Sequence, residues 1–159
     1  MNKNQLTKDK VCAFYASDYH FEMMSLPYIE KKLEENKKII ILPENNLEDT
    51  IKVLLDRMNL KEDKKNNIIN IDWKQSSLNK FKSIKRELEN NQEVIIFVKG
   101  KNNYIKNINK NLEKWTENNE DIKVIDCYDI NEITQDMDII MEKYHKVLNT
   151  SGEKEIDKI

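Results

Sequence analysis

The chain contains few of the residues from which nucleotide and metal sites are usually built. Its 159 residues include two glycines, two cysteines and two histidines. No glycine and no Lys-Ser or Lys-Thr pair follows the first apolar run, where a P-loop would need them, which excludes ATP hydrolysis by that route. The cysteines form no CxxC motif and the histidines no pair at helical spacing, so we expect neither a metal nor a cofactor.

The chain also lacks long apolar runs and an excess of basic charge. Its apolar runs are far too short to span a bilayer, and the polar segment 1–10 has no apolar stretch of the kind that signal peptides carry. Lysine and arginine number 27 against 29 aspartates and glutamates, a net charge of -2, whereas a nucleic-acid binder needs a basic face. We therefore expect a cytoplasmic protein with no membrane or nucleic-acid partner. Cys12 and Cys127 are expected to be buried hydrophobes rather than a disulfide.

Five short apolar runs, each followed by an amphipathic stretch, organise the sequence. They are Val11–Tyr15, Ile39–Leu42, Ile68–Ile71, Val94–Val98 and Ile122–Cys127. Runs of this kind are typical of buried parallel strands that alternate with helices. The pattern predicts an α/β fold, a three-layer α/β/α sandwich with a five-stranded, mainly parallel sheet. We expect a single domain over 11–150, after a polar segment over 1–10 and before a frayed tail over 151–159.

The spacing of the apolar residues predicts a helix after each strand. The first helix begins at Asp18, which we interpret as its N-cap. A charged stretch, Lys61–Asn67, is predicted to be a loop. Asp129 has the form of a capping-box residue. The last helix is therefore expected to follow it and to continue through Leu148, with His145 near the end of that helix.

Binding sites in open parallel sheets collect at the carboxyl ends of the strands. The residues that the sequence places at this edge combine aromatic rings with a few charges: Tyr15, Asp18, Tyr19, His20, Asp72, Trp73, Lys99 and Tyr128. This make-up is typical of a protein-interaction hot spot, and also of a small pocket that Tyr15, His20, Trp73 and Tyr128 would line. The other interpretation is that the aromatics seal the ends of the core.

Asp72, directly after the third apolar run, invites comparison with the phospho-acceptor aspartate of a receiver domain. That chemistry also needs two acids after the first strand to hold magnesium, and a lysine after the fifth strand. The chain has a single acid near its first strand, Asp18, and Tyr128-Asp129 after its fifth. No nucleophile–base pair stands out elsewhere. A degenerate receiver-like domain is therefore an alternative, and we expect no enzyme.

Two blocks of the sequence together resemble a known family. The first comprises Val11–Tyr15 and Leu26-Pro27-Tyr28-Ile29, and the second comprises Cys127-Tyr128-Asp129 and Tyr144-His145. These blocks resemble the opening and closing motifs of the MEDS domain, the sensory domain of methanogens, methylotrophs and the DcmR regulator. Lys10 stands where that family has a histidine, and Lys146 stands where it has a proline.

The resemblance implies a RecA-like α/β fold that has lost its nucleotide-hydrolysing motifs. It also implies a role in sensing small molecules, often in fusion with histidine kinases or DNA-binding modules. Because no such output domain fits in the remaining residues, we expect a stand-alone, non-catalytic signalling module of a bacterial pathway. It would act through contact with a separate histidine kinase or transcription regulator. A sensor that binds a small ligand is the alternative.

Overall fold

The computed structural model describes residues 10–117 and 119–156, so the polar segment predicted over 1–10 lies outside the described residues except for Lys10. None of the helices within these ranges combines the length and the apolar character of a membrane span. The elements, in chain order, are β1 (Val11–Tyr15), α1 (Asp18–Glu34), β2 (Lys38–Pro43), α2 (Glu48–Arg57), α3 (Glu62–Ile69), α4 (Leu78–Glu89), β3 (Val94–Gly100), α5 (Asn102–Thr116), β4 (Ile122–Asp129), α6 (Met137–Met141), β5 (Lys146–Asn149) and β6 (Gly152–Glu155).

The six strands of the described chain form one sheet, in the order β2-β3-β4-β1-β5-β6. The first five strands run parallel, and β6 is antiparallel to β5. Helices pack on both faces of this sheet. The predicted α/β/α sandwich is thus confirmed, with six strands instead of five.

Successive side chains of each strand point to opposite faces of the sheet. On one face, Ile125 and Cys127 of β4 pack in a cluster with α1, α2 and α3. On the other face, Tyr128 of β4 packs with α4, α5 and α6. Cys12 belongs to this second cluster, so the pairing of β1 with β4 leaves Cys12 and Cys127 on opposite faces. Both thiols are free, as the sequence predicted.

The third predicted strand, Ile68–Ile71, is wrong, because Ile68 and Ile69 end α3 and the chain then turns. The charged stretch that was expected to be a loop forms most of this helix. A short apolar run does not by itself distinguish a strand from the buried end of a helix. Glu62 and Asp63 in the first turn favour the helix, since carboxylates there face the positive end of its dipole.

The predicted final helix is correct only over Met137–Met141, and the tail predicted to fray over 151–159 forms a strand over Gly152–Glu155. α6 is only five residues long, and Lys146–Asn149 forms the inner strand of a hairpin with β6. Asp129 caps no helix, because its Oδ1 accepts the backbone N–H of Asn131 in a turn. His145 precedes β5, and its Nδ1 accepts the backbone N–H of Lys10 at 2.9 Å. Tail residues 157–159 lie outside the described residues.

One edge of the sheet, β2, is closed by a buried lysine of α4. Lys80 is 4% exposed, and its Nζ donates to the backbone carbonyl of Ile41 at 2.8 Å. The same ammonium donates to the carbonyls of Asp72 at 3.0 Å and of Lys74. Burial lowers the pKa of Lys80 to about 8, although the nearby Asp72 raises it. Lys80 therefore ties the segment between α3 and α4 to the edge of β2.

Candidate functional site

The candidate site is the carboxyl edge of the sheet around β1, β3 and β4. β1 and β4 are neighbours, but α1 after β1 packs on one face while α6 after β4 packs on the other. In open α/β sheets, a crevice forms where the helices that follow two neighbouring strands pack on opposite faces of the sheet. Ligands bind in this crevice, at the carboxyl ends of the strands. The side chains at this point decide what the edge can bind.

The loop between β1 and α1 is closed by its own side chains. Ser17, and not Asp18 as predicted, is the N-cap of α1, and its hydroxyl accepts the N–H of His20 at 3.1 Å. The Nδ1 of His20 accepts the N–H of Ala16 at 2.8 Å. Backbone amides at this position are the groups that cradle phosphate in nucleotide-binding loops. Two of them are used here within the loop itself.

An ion pair between a buried lysine and a partly exposed aspartate joins the end of β3 to the start of α1. The Lys99 side chain is 2% exposed, and its Nζ lies 2.8 Å from Asp18 Oδ1. Nζ also donates to Asn45 Oδ1 at 3.2 Å and lies 4.5 Å from the ring centroid of Tyr15. Carboxylate, amide and aromatic face together compensate the cost of burying the ammonium. Lys99 is therefore neutralised by neighbours, and its charge does not face solvent.

Glu22, one turn after Asp18 on α1, is a functional candidate that the sequence interpretation missed. Glu22 is fully buried, and its Oε2 accepts the Thr50 hydroxyl at 2.5 Å. Its Oε1 has no hydrogen-bond partner among the described residues. Burial raises the pKa of Glu22 to about 7, although the hydrogen bond from Thr50 lowers it. Such a pKa suits proton transfer, but the carboxyl is enclosed by the protein.

A second carboxylate of the chain occupies the turn between β3 and α5. Glu44 Oε1 accepts the backbone N–H of Lys101 at 3.0 Å. A Cβ added to Gly100 would lie 2.7 Å from this oxygen and 2.8 Å from the Tyr104 ring, which explains the glycine. The turn after β3 therefore already holds a carboxylate of the chain itself.

The eight predicted site residues do not form one pocket. Tyr15, Asp18 and Lys99 meet at the carboxyl edge, and Tyr19 and His20 lie on the adjoining first turn of α1. Asp72 and Trp73 follow α3 instead of a strand, so the comparison of Asp72 with a receiver aspartate loses its geometric basis. Trp73 is 2% exposed and donates its Nε1–H to the carbonyl of Ile68, as a core residue does.

Tyr128 packs on the opposite face of the sheet, in a polar network that the sequence interpretation also missed. Its hydroxyl lies 2.6 Å from that of Tyr144, which donates to Asp126 Oδ2 at 2.6 Å. Asn109 Nδ2 donates to the other carboxylate oxygen at 2.9 Å. Burial raises the pKa of Asp126 to about 6, although the bonds from Tyr144 and Asn109 lower it. This network holds α5 and the segment before β5 to the centre of the sheet.

Two surface cavities lie away from the predicted residues. One, of about 420 Å³, lies between α1 and the β5–β6 hairpin. The other, of about 450 Å³, is lined by residues 133–138 before and within α6. None of the eight predicted residues lines either cavity. Across residues 10–117 and 119–156, no three His, Cys, Asp or Glu side chains gather as a metal site.

Comparison of the chain with protein families, with curated proteins and with solved structures found no match.

Proposed function

We propose that this chain is a non-catalytic regulatory domain that acts by binding a separate signalling protein through the carboxyl edge of its sheet. The observation that carries the proposal is the contrast between charged and apolar groups at this edge. Lys99 and Asp18 satisfy each other, whereas Tyr19 beside them is 57% exposed. The lysine at this edge is enclosed by its partners, and an aromatic ring faces outward.

The enclosure of Lys99 supports a non-catalytic role. A catalytic lysine or aspartate must reach a bound substrate, and Lys99 is 1% exposed beneath Asp18 and Asn45. The carboxylates of Asp18 and Glu44 also place negative charge where a phosphate would approach. Electrostatic repulsion would therefore oppose a nucleotide.

Exposed apolar side chains around the same edge support contact with a protein. Met23 follows Tyr19 by four residues on α1, so the two lie on one face of the helix, and Met23 is 39% exposed. Ile130, also 39% exposed, is held beside β1 by the bond from its N–H to the Tyr15 carbonyl. Tyrosine is enriched in interaction hot spots, and its exposed neighbour Met23 adds apolar area on the same face of α1.

The resemblance to the MEDS domain supports the choice of partner. Its two blocks, far apart in sequence, include Val11–Tyr15 and Cys127-Tyr128-Asp129, which lie side by side on β1 and β4. In that family the domain serves regulators, so a histidine kinase or a transcription regulator is the partner that we propose.

The experiment uses Tyr19 as the probe and Val53 as its matched control. Val53 is 50% exposed and lies on α2, five residues after the start of that helix at Glu48. Full-length protein, Tyr19→Ala and Val53→Ala are immobilised and exposed to extract of the source organism, and retained proteins are identified by mass spectrometry. We expect a kinase or regulator that wild type and Val53→Ala retain and Tyr19→Ala loses.

The affinity of the purified partner for all three proteins is then measured. Tyr19→Ala should weaken its binding at least tenfold, about 1.4 kcal/mol, with a melting temperature close to that of wild type. Equal binding by all three proteins would contradict the proposed surface. Turnover of a substrate that is lost on Lys99→Met, in protein that remains folded, would contradict the non-catalytic assignment.

A further inference from the structure

The cavity between α1 and the β5–β6 hairpin has the size and the framework of a ligand site. Its volume of about 420 Å³ falls within the range of about 300–1,000 Å³ typical of small-molecule pockets. One wall is the middle of α1, at Met24, Pro27 and Tyr28. The other wall is the tip of the hairpin, at Thr150 and Ser151.

Hydrogen bonds and ion pairs hold the two walls in place. Glu153 of β6 accepts the Tyr28 hydroxyl of α1 at 2.5 Å and the Lys123 ammonium of β4 at 2.7 Å. Lys146 of β5 lies 3.7 Å from the same carboxylate. At the tip, Asn149 Oδ1 accepts the N–H of Ser151 at 2.8 Å. The cavity is therefore formed before any ligand arrives, which lowers the cost of binding.

The charges of the lining favour an anion. Lys123 and Lys146 neutralise the negative charge of Glu153. Two lysines of α1, Lys31 and Lys32, line the opposite wall. Lys32 lies 3.3 Å from Glu35, and Lys31 has no carboxylate within ion-pair distance in the described part of the chain. The excess charge at the cavity is therefore positive.

The remaining lining suits a ligand with an apolar body. Met24 and Tyr28 are buried and line the cavity together with Pro27, so apolar side chains form part of its wall. Lys32 Nζ lies 5.2 Å from the Tyr28 ring centroid, so cationic and aromatic surfaces adjoin. The hydroxyls of Thr150 and Ser151 add hydrogen-bonding groups at the mouth.

We propose that this cavity binds a small organic anion, with its charged group at Lys31 and Lys32 and its apolar body against Met24 and Tyr28. The site is separate from the carboxyl edge and does not depend on the proposed protein contact. It would give the chain a small-molecule site on the hairpin side of α1.

The test is a titration of the isotope-labelled full chain with three probes, followed by NMR of its backbone amides. Benzoate and phenyl phosphate combine an aromatic body with a carboxylate or a phosphate, and benzamide is a neutral analogue of benzoate. We expect both anions to produce saturable shifts at Lys31, Lys32 and Thr150–Gly152. Benzamide should bind at least tenfold more weakly.

Paired lysine variants locate the anion. Lys31→Gln with Lys32→Gln should weaken benzoate at least tenfold. Lys82→Gln with Lys85→Gln, which removes the same charge from exposed positions of α4, should leave binding unchanged. The proposal is overturned if neither anion saturates below about 10 mM, if the shifts map elsewhere, or if benzamide binds as well as benzoate. Because benzamide is compared on the wild-type chain, the test does not depend on the variants folding.

Discussion

At the scale of single residues, the protein is characterised by ionisable side chains that are buried with partners. Glu22, Lys80, Lys99 and Asp126 are each less than a tenth exposed. Burying a charge is costly unless other groups pair with it or donate hydrogen bonds to it. Lys99 has a carboxylate, Lys80 has backbone carbonyls, and Asp126 has two side-chain donors. Each of these residues stabilises the fold only where its partners offset the free-energy cost of burying its charge.

Asp126 gives a prediction about stability and pH. The pKa of Asp126 is raised from 3.8 to about 6 in the folded state, so between these values the native protein binds more protons than the unfolded chain. Its contribution is therefore most favourable below about pH 4 and is lost as pH rises through 6. An asparagine can accept from Asn109 and donate to Tyr144 without charge. Asp126→Asn should match wild type near pH 4 and exceed its unfolding free energy by up to about 3 kcal/mol at pH 7.

Urea unfolding at pH values from 4 to 7 measures this difference. Asp56→Asn, an exposed aspartate of α2, is the control and should follow wild type throughout. A variant that is less stable than wild type at pH 7 would mean that the ionised carboxylate stabilises the network.

Lys80 gives a second prediction at this scale. Lys80→Met keeps a long side chain but leaves the carbonyls of Ile41, Asp72 and Lys74 without their shared donor. A buried polar group left unsatisfied costs about 1–3 kcal/mol, so we expect a loss of about 3 kcal/mol or more in denaturant unfolding. Lys82→Met, an exposed position two residues later, should change stability by less than about 0.5 kcal/mol. Equal effects of the two variants would refute the role given to Lys80.

At the scale of elements, the C-terminal hairpin is part of the fold. β5 pairs with β1, and Ile156 after β6 packs against the cluster that contains α4, α5 and α6. Glu153 joins β6 to β4 and to α1 through Lys123 and Tyr28. Burial alone would raise the pKa of Glu153, but Lys123 and Tyr28 hold it below its ordinary value. The carboxylate thus links the hairpin to α1 and to β4.

A comparison of two glutamates in β6 tests this link. Glu153→Ala removes charge-assisted hydrogen bonds to Lys123 and Tyr28, for which a loss of about 2 kcal/mol in unfolding free energy is expected. Glu155→Ala, at an exposed position of the same strand, should cost less than about 0.5 kcal/mol. Thermal or urea unfolding of the two variants measures this difference in stability. A frayed tail would make both substitutions neutral.

At the scale of the whole molecule, the strand order brings side chains from distant parts of the sequence to one edge. β1 lies between β4 and β5, and β3 lies on the far side of β4. Lys99 at the end of β3 nevertheless reaches Asp18 after β1, across the end of β4. The edge where a nucleotide would bind in a related architecture is therefore filled by an internal ion pair and by the closed loop of Ala16 and His20.

ATP should accordingly fail to stabilise the protein. A nucleotide present at 100 times its dissociation constant would add about 2.7 kcal/mol, enough to raise the melting temperature of a domain of this size by several degrees. With about 1 mM MgATP, which is 100 times a Kd of about 10 μM, we expect no measurable change in calorimetry. A clear rise in melting temperature would show that the loop opens.

The sequence by itself determined the α/β architecture and four of the strands, because buried parallel strands require continuous apolar runs such as Ile39–Leu42 and Val94–Val98. It did not reveal β5 and β6, whose residues are mostly polar because the hairpin lies at the end of the sheet. Only the tertiary structure decided which distant residues pair, such as Lys99 with Asp18. It also placed Tyr15 and Tyr128 on opposite faces of the sheet. The spacing of apolar residues in the sequence indicates which side chains of one helix or strand are buried. Strand order and register determine which residues become neighbours and on which face of the sheet a side chain lies. Both depend on packing between segments far apart in the chain.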